Sequence, residues 1–124
     1  MEKLRDPKEG CQWDLEQTSI SLIPYIIEES YELAEALDKG NPEQICDELG
    51  DLLLQIVFQA QIAKEKGLFD MERIIDKAAD KMIRRHPHIF SNQKEKRTIE
   101  EQKISWEKIK KQEISKYYEL NQKN

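Results

Sequence analysis

The apolar positions of this chain recur at three- and four-residue spacing, which is helical periodicity, and no stretch alternates strictly enough to predict a strand. Ile23, Ile26, Ile27, Leu33, Ala34 and Leu37 predict a first helix from about Glu16 to Asp38. Lys39-Gly40-Asn41-Pro42 then ends it, since Gly suits a left-handed C-cap and Pro suits the first turn of a following helix. A second helix is predicted from Pro42 to about Lys66, apolar nearly all round between Leu49 and Phe58 and so expected to be buried on several sides. Gly67 closes it and Asp70 is a candidate N-cap for a third helix, Met71 to about Arg85. His86-Pro87-His88 stops the third, because the residue before a proline is pushed out of helical geometry. Residues 91–97 form a polar, basic stretch expected to be a flexible loop. Thr98 with Glu101 then makes a capping-box pattern for a fourth helix containing Ile99, Trp106 and Ile109, whose tail, 117–124, is polar enough to fray.

These elements predict one all-α domain over 1–124, a helical bundle of about four helices. The second helix has more apolar surface than its neighbours within one chain would cover, which points to completion by a homo-oligomer. Composition agrees: 124 residues with four Gly and four Pro leave little material for turns, and 36% charged residues exceed the roughly 25% of an average domain. No apolar run approaches the roughly 20 residues of a membrane span. The opening residues carry no apolar signal region, so a cytoplasmic protein is expected. The two cysteines are then expected to be reduced, with Cys46 a small buried residue of the second helix.

Charge is divided along the chain. Residues 1–80 hold 8 Lys/Arg against 19 Asp/Glu, and residues 81–124 hold 12 against 6. An acidic half that holds cations and a basic half that meets an anion fit a phosphorylated ligand. The overall acidity, with no basic stripe interleaved with aromatics, argues against nucleic-acid binding.

The chemistry concentrates in Glu28-Glu29-Ser30-Tyr31-Glu32 and Glu48-Leu49-Gly50-Asp51. At about 100° per residue, Glu29 and Glu32 share a face of the first helix, and Glu48 and Asp51 share a face of the second. A short connection makes the two helices antiparallel neighbours. Four carboxylates brought to about 5 Å in a medium of effective dielectric about 20 repel by about 3 kcal/mol per pair, so the group needs protons or cations. An oxygen-only set suits Mg²⁺ or Mn²⁺ rather than Zn²⁺. The alternative, an ordinary solvated acidic face, stays open on spacing alone. His86 and His88 with Cys11 do not complete a zinc set. Trp13 and Trp106 suit either base stacking or packing.

Together, Leu4-Arg5-Asp6, Gly10-Cys11-Gln12-Trp13-Asp14, Glu16-Gln17-Thr18, Ser21 to Tyr25, Glu28 to Glu32, Glu48 to Gln55 and Lys81-Met82-Ile83-Arg84-Arg85-His86-Pro87-His88-Ile89-Phe90 closely resemble the MazG family of nucleoside triphosphate pyrophosphohydrolases, over about residues 4–110. The resemblance implies a dimerising helical bundle that hydrolyses a nucleoside triphosphate to the monophosphate and pyrophosphate with Mg²⁺. It implies Glu29, Glu32, Glu48 and Asp51 as metal ligands and Glu28 as a water-orienting group. It also implies Lys81, Arg85, Trp106 and Lys110 as triphosphate and nucleotide contacts. Arg85 is favoured over Arg84 for the phosphates, because its neighbour points about 100° away around the helix. The chain departs from the family pattern in having Gln12 where Pro is typical and Ser19 where His is often found. A narrower deoxynucleotide or modified-nucleotide substrate, and an inactive helical interaction module, are the competing readings.

Overall fold

The computed structural model describes residues 1–92 and 94–122; Gln93 within the expected loop and the last two residues of the expected tail lie outside the described residues. It is all-helical, with no strand among the described residues. Six helices follow in chain order: α1 (Gln12–Glu16), α2 (Ile23–Lys39), α3 (Pro42–Glu65), α4 (Met71–Arg85), α5 (Pro87–Phe90) and α6 (Ile99–Gln122). None is long and apolar enough to cross a membrane.

The four long helices fall close to their predicted places, and the two added ones are short. The first long helix starts at Ile23 rather than near Glu16, because the chain between α1 and α2 is claimed by a turn. The Thr18 N–H donates to Ser21 Oγ at 2.8 Å and the Ser21 N–H returns to Thr18 Oγ1 at 3.0 Å. Pro24 in the first turn then fixes the start of α2. His86-Pro87 ends α4 as expected, but the same proline opens α5. Thr98 caps α6: its Oγ1 accepts from the Glu101 N–H at 3.1 Å and donates to Glu101 Oε1 at 3.1 Å.

The chain divides into two compact units, Met1–Ile74 and the segment from Ile75 onward. In the first, α2 and α3 form an antiparallel pair joined by Gly40 and Asn41. Gly40 takes φ of 77°, the left-handed conformation, and Asn41 Oδ1 accepts from the Gln44 N–H at 3.1 Å. The core of the unit is Leu22, Phe58 and Ile62, with Met1 packed against it. Arg5 fastens the N-terminal segment to α3. Its guanidinium donates Nε and Nη2 to the two Glu65 oxygens at 2.8 Å each, donates Nη1 to the Asp14 and Gln17 carbonyls, and lies 5.6 Å from the Phe58 ring centroid.

Two burial expectations are corrected. Within one chain α3 buries only Phe58, Ala60, Ile62 and Ala63, while Leu49, Leu53, Leu54 and Ile56 are 42–56% exposed. Cys46 is exposed too, because it lies with Glu43, Asp47, Gly50 and Leu54 along an open groove on α3. Both thiols are free.

In the second unit, Glu113 of α6 ties the end of α4 by accepting from both Arg84 and Arg85, and Gln102 Nε2 donates to the Arg85 carbonyl at 2.9 Å.

Candidate functional site

The α2–α3 pair brings four carboxylates to one place. Glu29 and Glu32 lie one turn apart on α2, and Glu48 and Asp51 one turn apart on α3. One oxygen of each lies within 4.8 Å of all the others. The hairpin explains the placement: with Gly40-Asn41 as pivot, the middle of α2 returns beside the early turns of α3, so sequence separations of 16 to 22 residues collapse into one cluster.

The site's electrostatics carry the mark of crowding. Burial pushes Glu29 up to about 6, aided by repulsion from Glu32 and Asp51, a shared hydrogen bond with Glu32, and repulsion from Glu48. Glu48 is raised as well, by burial first and then by Glu32, Asp51 and Asp47. Glu29 Oε2 and Glu48 Oε2 are buried without a hydrogen-bond partner. Buried carboxylate oxygens without a donor are costly, and no Lys or Arg nitrogen is paired with any of the four among the described residues. An all-oxygen set with orphaned, inward oxygens fits a hard divalent cation.

Of the other residues singled out in sequence, Glu28 is exposed on α2 and stands outside the cluster. Trp13 is half-exposed, its ring edge-on to Tyr25 and Phe58 with centroids 5.7 and 6.5 Å away. Tyr31 is exposed, with 74% of its surface open. In the second unit, Arg85 and Trp106 meet: the guanidinium carbon is 5.0 Å from the Trp106 ring centroid, and His86 abuts the same ring edge-on at 5.4 Å. Lys110 lies one turn beyond Trp106 on α6, partly buried, and Lys81 one turn before Arg85 on α4, exposed. Arg84, the less favoured of the two arginines for the phosphates, is half-exposed and paired with Glu113 through Nε at 3.0 Å and Nη2 at 2.8 Å.

Glu113 is the residue that sequence reasoning passed over. The available signal was its spacing, since Trp106, Lys110 and Glu113 fall at i, i+4 and i+7 and so share a helix face. It was masked by the many charged residues of α6.

Comparison with known proteins bears on the same residues. The chain is 58% identical over 92 residues to the nucleoside triphosphate pyrophosphohydrolase/pyrophosphatase MazG of Thermotoga maritima, covering 74% of this chain and 36% of that protein. It is 44% identical over 113 residues to the nucleoside triphosphate pyrophosphohydrolase of Escherichia coli K12, covering 91% and 43%. The chain thus matches less than half the length of these curated relatives. Among solved structures, a mazG-related protein from Thermotoga maritima superposes with a TM-score of 0.67 at 30% identity, covering 82% of this chain and 87% of that one. Residues 17–90, more than half of the chain and including all four clustered carboxylates, match the model of the MazG nucleotide pyrophosphohydrolase domain, and the chain belongs to that family.

Proposed function

We propose that this protein is a Mg²⁺-dependent nucleoside triphosphate pyrophosphohydrolase of broad specificity, converting a (deoxy)nucleoside triphosphate and water to the monophosphate and pyrophosphate. The observation that carries the reading is the four-carboxylate cluster with its two unpartnered buried oxygens. The names of the relatives supply the reaction.

Glu29, Glu32, Glu48 and Asp51 would hold the cation, Mg²⁺ with Mn²⁺ as a substitute. When bound, it would neutralise triphosphate charge and lower the pKa of coordinated water. The remaining work falls to the chain's own groups. Glu28, about 100° round α2 from Glu29, is assigned to orienting the attacking water. Cleavage between the α and β phosphates leaves pyrophosphate, whose developing charge calls for cationic donors. By charge type, Lys81, Arg85 and Lys110 suit the β and γ oxygens, with Arg85 offering a planar fork. By residue type, Trp106 and Trp13 are the rings suited to a base. Stacking of that kind accepts any base, so it supports broad rather than selective use.

We further propose that the protein works as a homodimer in the cytoplasm, where nucleoside triphosphates are abundant, without nucleic-acid or membrane partners. The exposed apolar face of α3 supports the dimer.

The test is a product assay against the eight common NTPs and dNTPs, with and without Mg²⁺. Monophosphate and pyrophosphate from most of them, only with metal, is the expected result. Diphosphate and phosphate would overturn the assigned bond cleavage. Turnover of a single nucleotide would overturn broad specificity, and no turnover at all would favour a modified-nucleotide substrate or the inactive interaction module, which a metal-binding titration would then separate.

A further inference from the structure

Arg84 and Arg85 are sequence neighbours that converge on one carboxylate. Glu113 Oε1 accepts from Arg84 Nε and Nη2, and Glu113 Oε2 accepts from Arg85 Nη2 at 2.8 Å. The Arg85 side chain is 17% exposed and Glu113 22%, against 50% for Arg84. Glu113 engages Arg85 through Nη2, while Arg85 Nε is buried and has no acceptor. The same guanidinium lies over the Trp106 ring, two turns earlier on the helix that carries Glu113. Arg85 is therefore held at three points, by Glu113 at its tip, Trp106 on its face and Gln102 at its backbone carbonyl.

We propose that Glu113 is a positioning residue for the triphosphate, holding the Arg85 guanidinium over Trp106 with donors left over for phosphate oxygens. The proposal rests on the assignment of Arg85 to the triphosphate made above. A free arginine side chain must be ordered when an anion binds, and here that ordering is already done in the resting protein. The pairing draws Glu113 below the ordinary carboxylate range, chiefly through its hydrogen bond with Arg85, so Glu113 is ionised at neutral pH. A carboxylate that only competed with phosphate for the two arginines would have the opposite effect, since its removal would tighten anion binding.

The sign of that effect decides the matter. Wild type, Glu113→Gln, Arg85→Lys and the double variant are compared in two measurements, calorimetric binding of inorganic tripolyphosphate and NTP hydrolysis with Mg²⁺. Glu113→Gln is expected to weaken tripolyphosphate binding and raise KM about tenfold while kcat changes much less, as loss of ground-state positioning requires. In the Arg85→Lys background the same substitution is expected to add less than about twofold, because the group it positions is gone. Glu113→Asp keeps the charge but shortens the reach, and falls between wild type and Gln. Equal or tighter tripolyphosphate binding by Glu113→Gln overturns the proposal, as does an undiminished loss in the Arg85→Lys background or a wild type that does not bind tripolyphosphate. Coupled binding effects in a wild type that releases no pyrophosphate would leave the role of Glu113 standing and overturn the pyrophosphohydrolase reading instead.

Discussion

Removing one charge from the carboxylate cluster should separate stability from activity. Glu32→Gln and Asp51→Asn each relieve repulsion on Glu29, whose carboxyl is already pushed up to about 6 in part by these two neighbours. The expected outcome is a melting temperature equal to or above wild type without metal, and loss of turnover by more than about a hundredfold at saturating Mg²⁺. Near-wild-type turnover in either variant would remove that residue from the ligand set. The Arg5–Glu65 pair works in the other direction. Its hydrogen bonds to Arg5 hold Glu65 below the ordinary carboxylate value of 4.5, so between the two pKa values the unfolded chain binds more protons than the folded one. The pair's contribution is therefore present above pH 4.5 and fades as pH falls through the lowered value. Denaturant melts of wild type and Glu65→Gln are expected to differ at pH 7 and to draw together as pH falls below 4.5; a constant gap would show that Glu65 acts by packing instead. Arg5→Ala should cost more, about 2 kcal/mol, since it also removes the Arg5 donor from the Gln17 carbonyl and leaves the Asp14 carbonyl with the Gln17 N–H alone.

At the level of elements, the hairpin that assembles the cluster depends on its two-residue pivot. Gly40 sits at φ of 77°, where an added Cβ meets nothing within 4 Å, so the penalty of a side chain there is backbone strain alone. Gly40→Ala is expected to destabilise by about 1 kcal/mol, read as a lower denaturation midpoint with an unchanged m-value. A larger loss accompanied by a changed m-value would mean that the α2–α3 pairing itself had moved. The pivot shows why so much was legible. Gly40, Asn41 and Pro42 mark the turn by local backbone chemistry, and the spacings Glu29 to Glu32 and Glu48 to Asp51 mark two faces, so the cluster follows from local rules plus one short connection. What escaped depended on side chains meeting across long separations or on turns of unfamiliar kind. The Thr18–Ser21 turn moved the start of α2, α5 was too short to show a period, and Cys46 looked buried because its helix is apolar, whereas within one chain that part of α3 is left uncovered. The Arg84–Arg85–Glu113 contact joins residues 28 and 29 positions apart on two charge-rich helices, where spacing alone cannot tell a partner from a bystander.

For the whole molecule, the unsettled surface is α3. Leu49, Leu53, Leu54 and Ile56 expose 42–56% of their area in the single chain, next to acidic Glu48 and Asp51 of the cluster. Apolar residues massed this way on a small domain mark an interface, and because each of these side chains is already about half buried, covering the rest contributes about 0.7–1.5 kcal/mol apiece before the cost of association. A second copy of the chain is the simplest cover, because a two-fold axis lets one apolar stripe bury itself against its twin. It would also brace the helix that carries two of the four clustered carboxylates, and so would tie assembly to the proposed activity. Light scattering at micromolar concentration is expected to give about twice the 14.7 kDa of one chain. Leu53→Lys, which places a charge in the stripe without touching a clustered carboxylate, is expected to give the single-chain mass and to lose most Mg²⁺-dependent turnover. A wild type that runs at 14.7 kDa would show that α3 is not covered by self-association. A Leu53→Lys variant that is monomeric yet fully active would keep the interface and break its link to the carboxylate cluster.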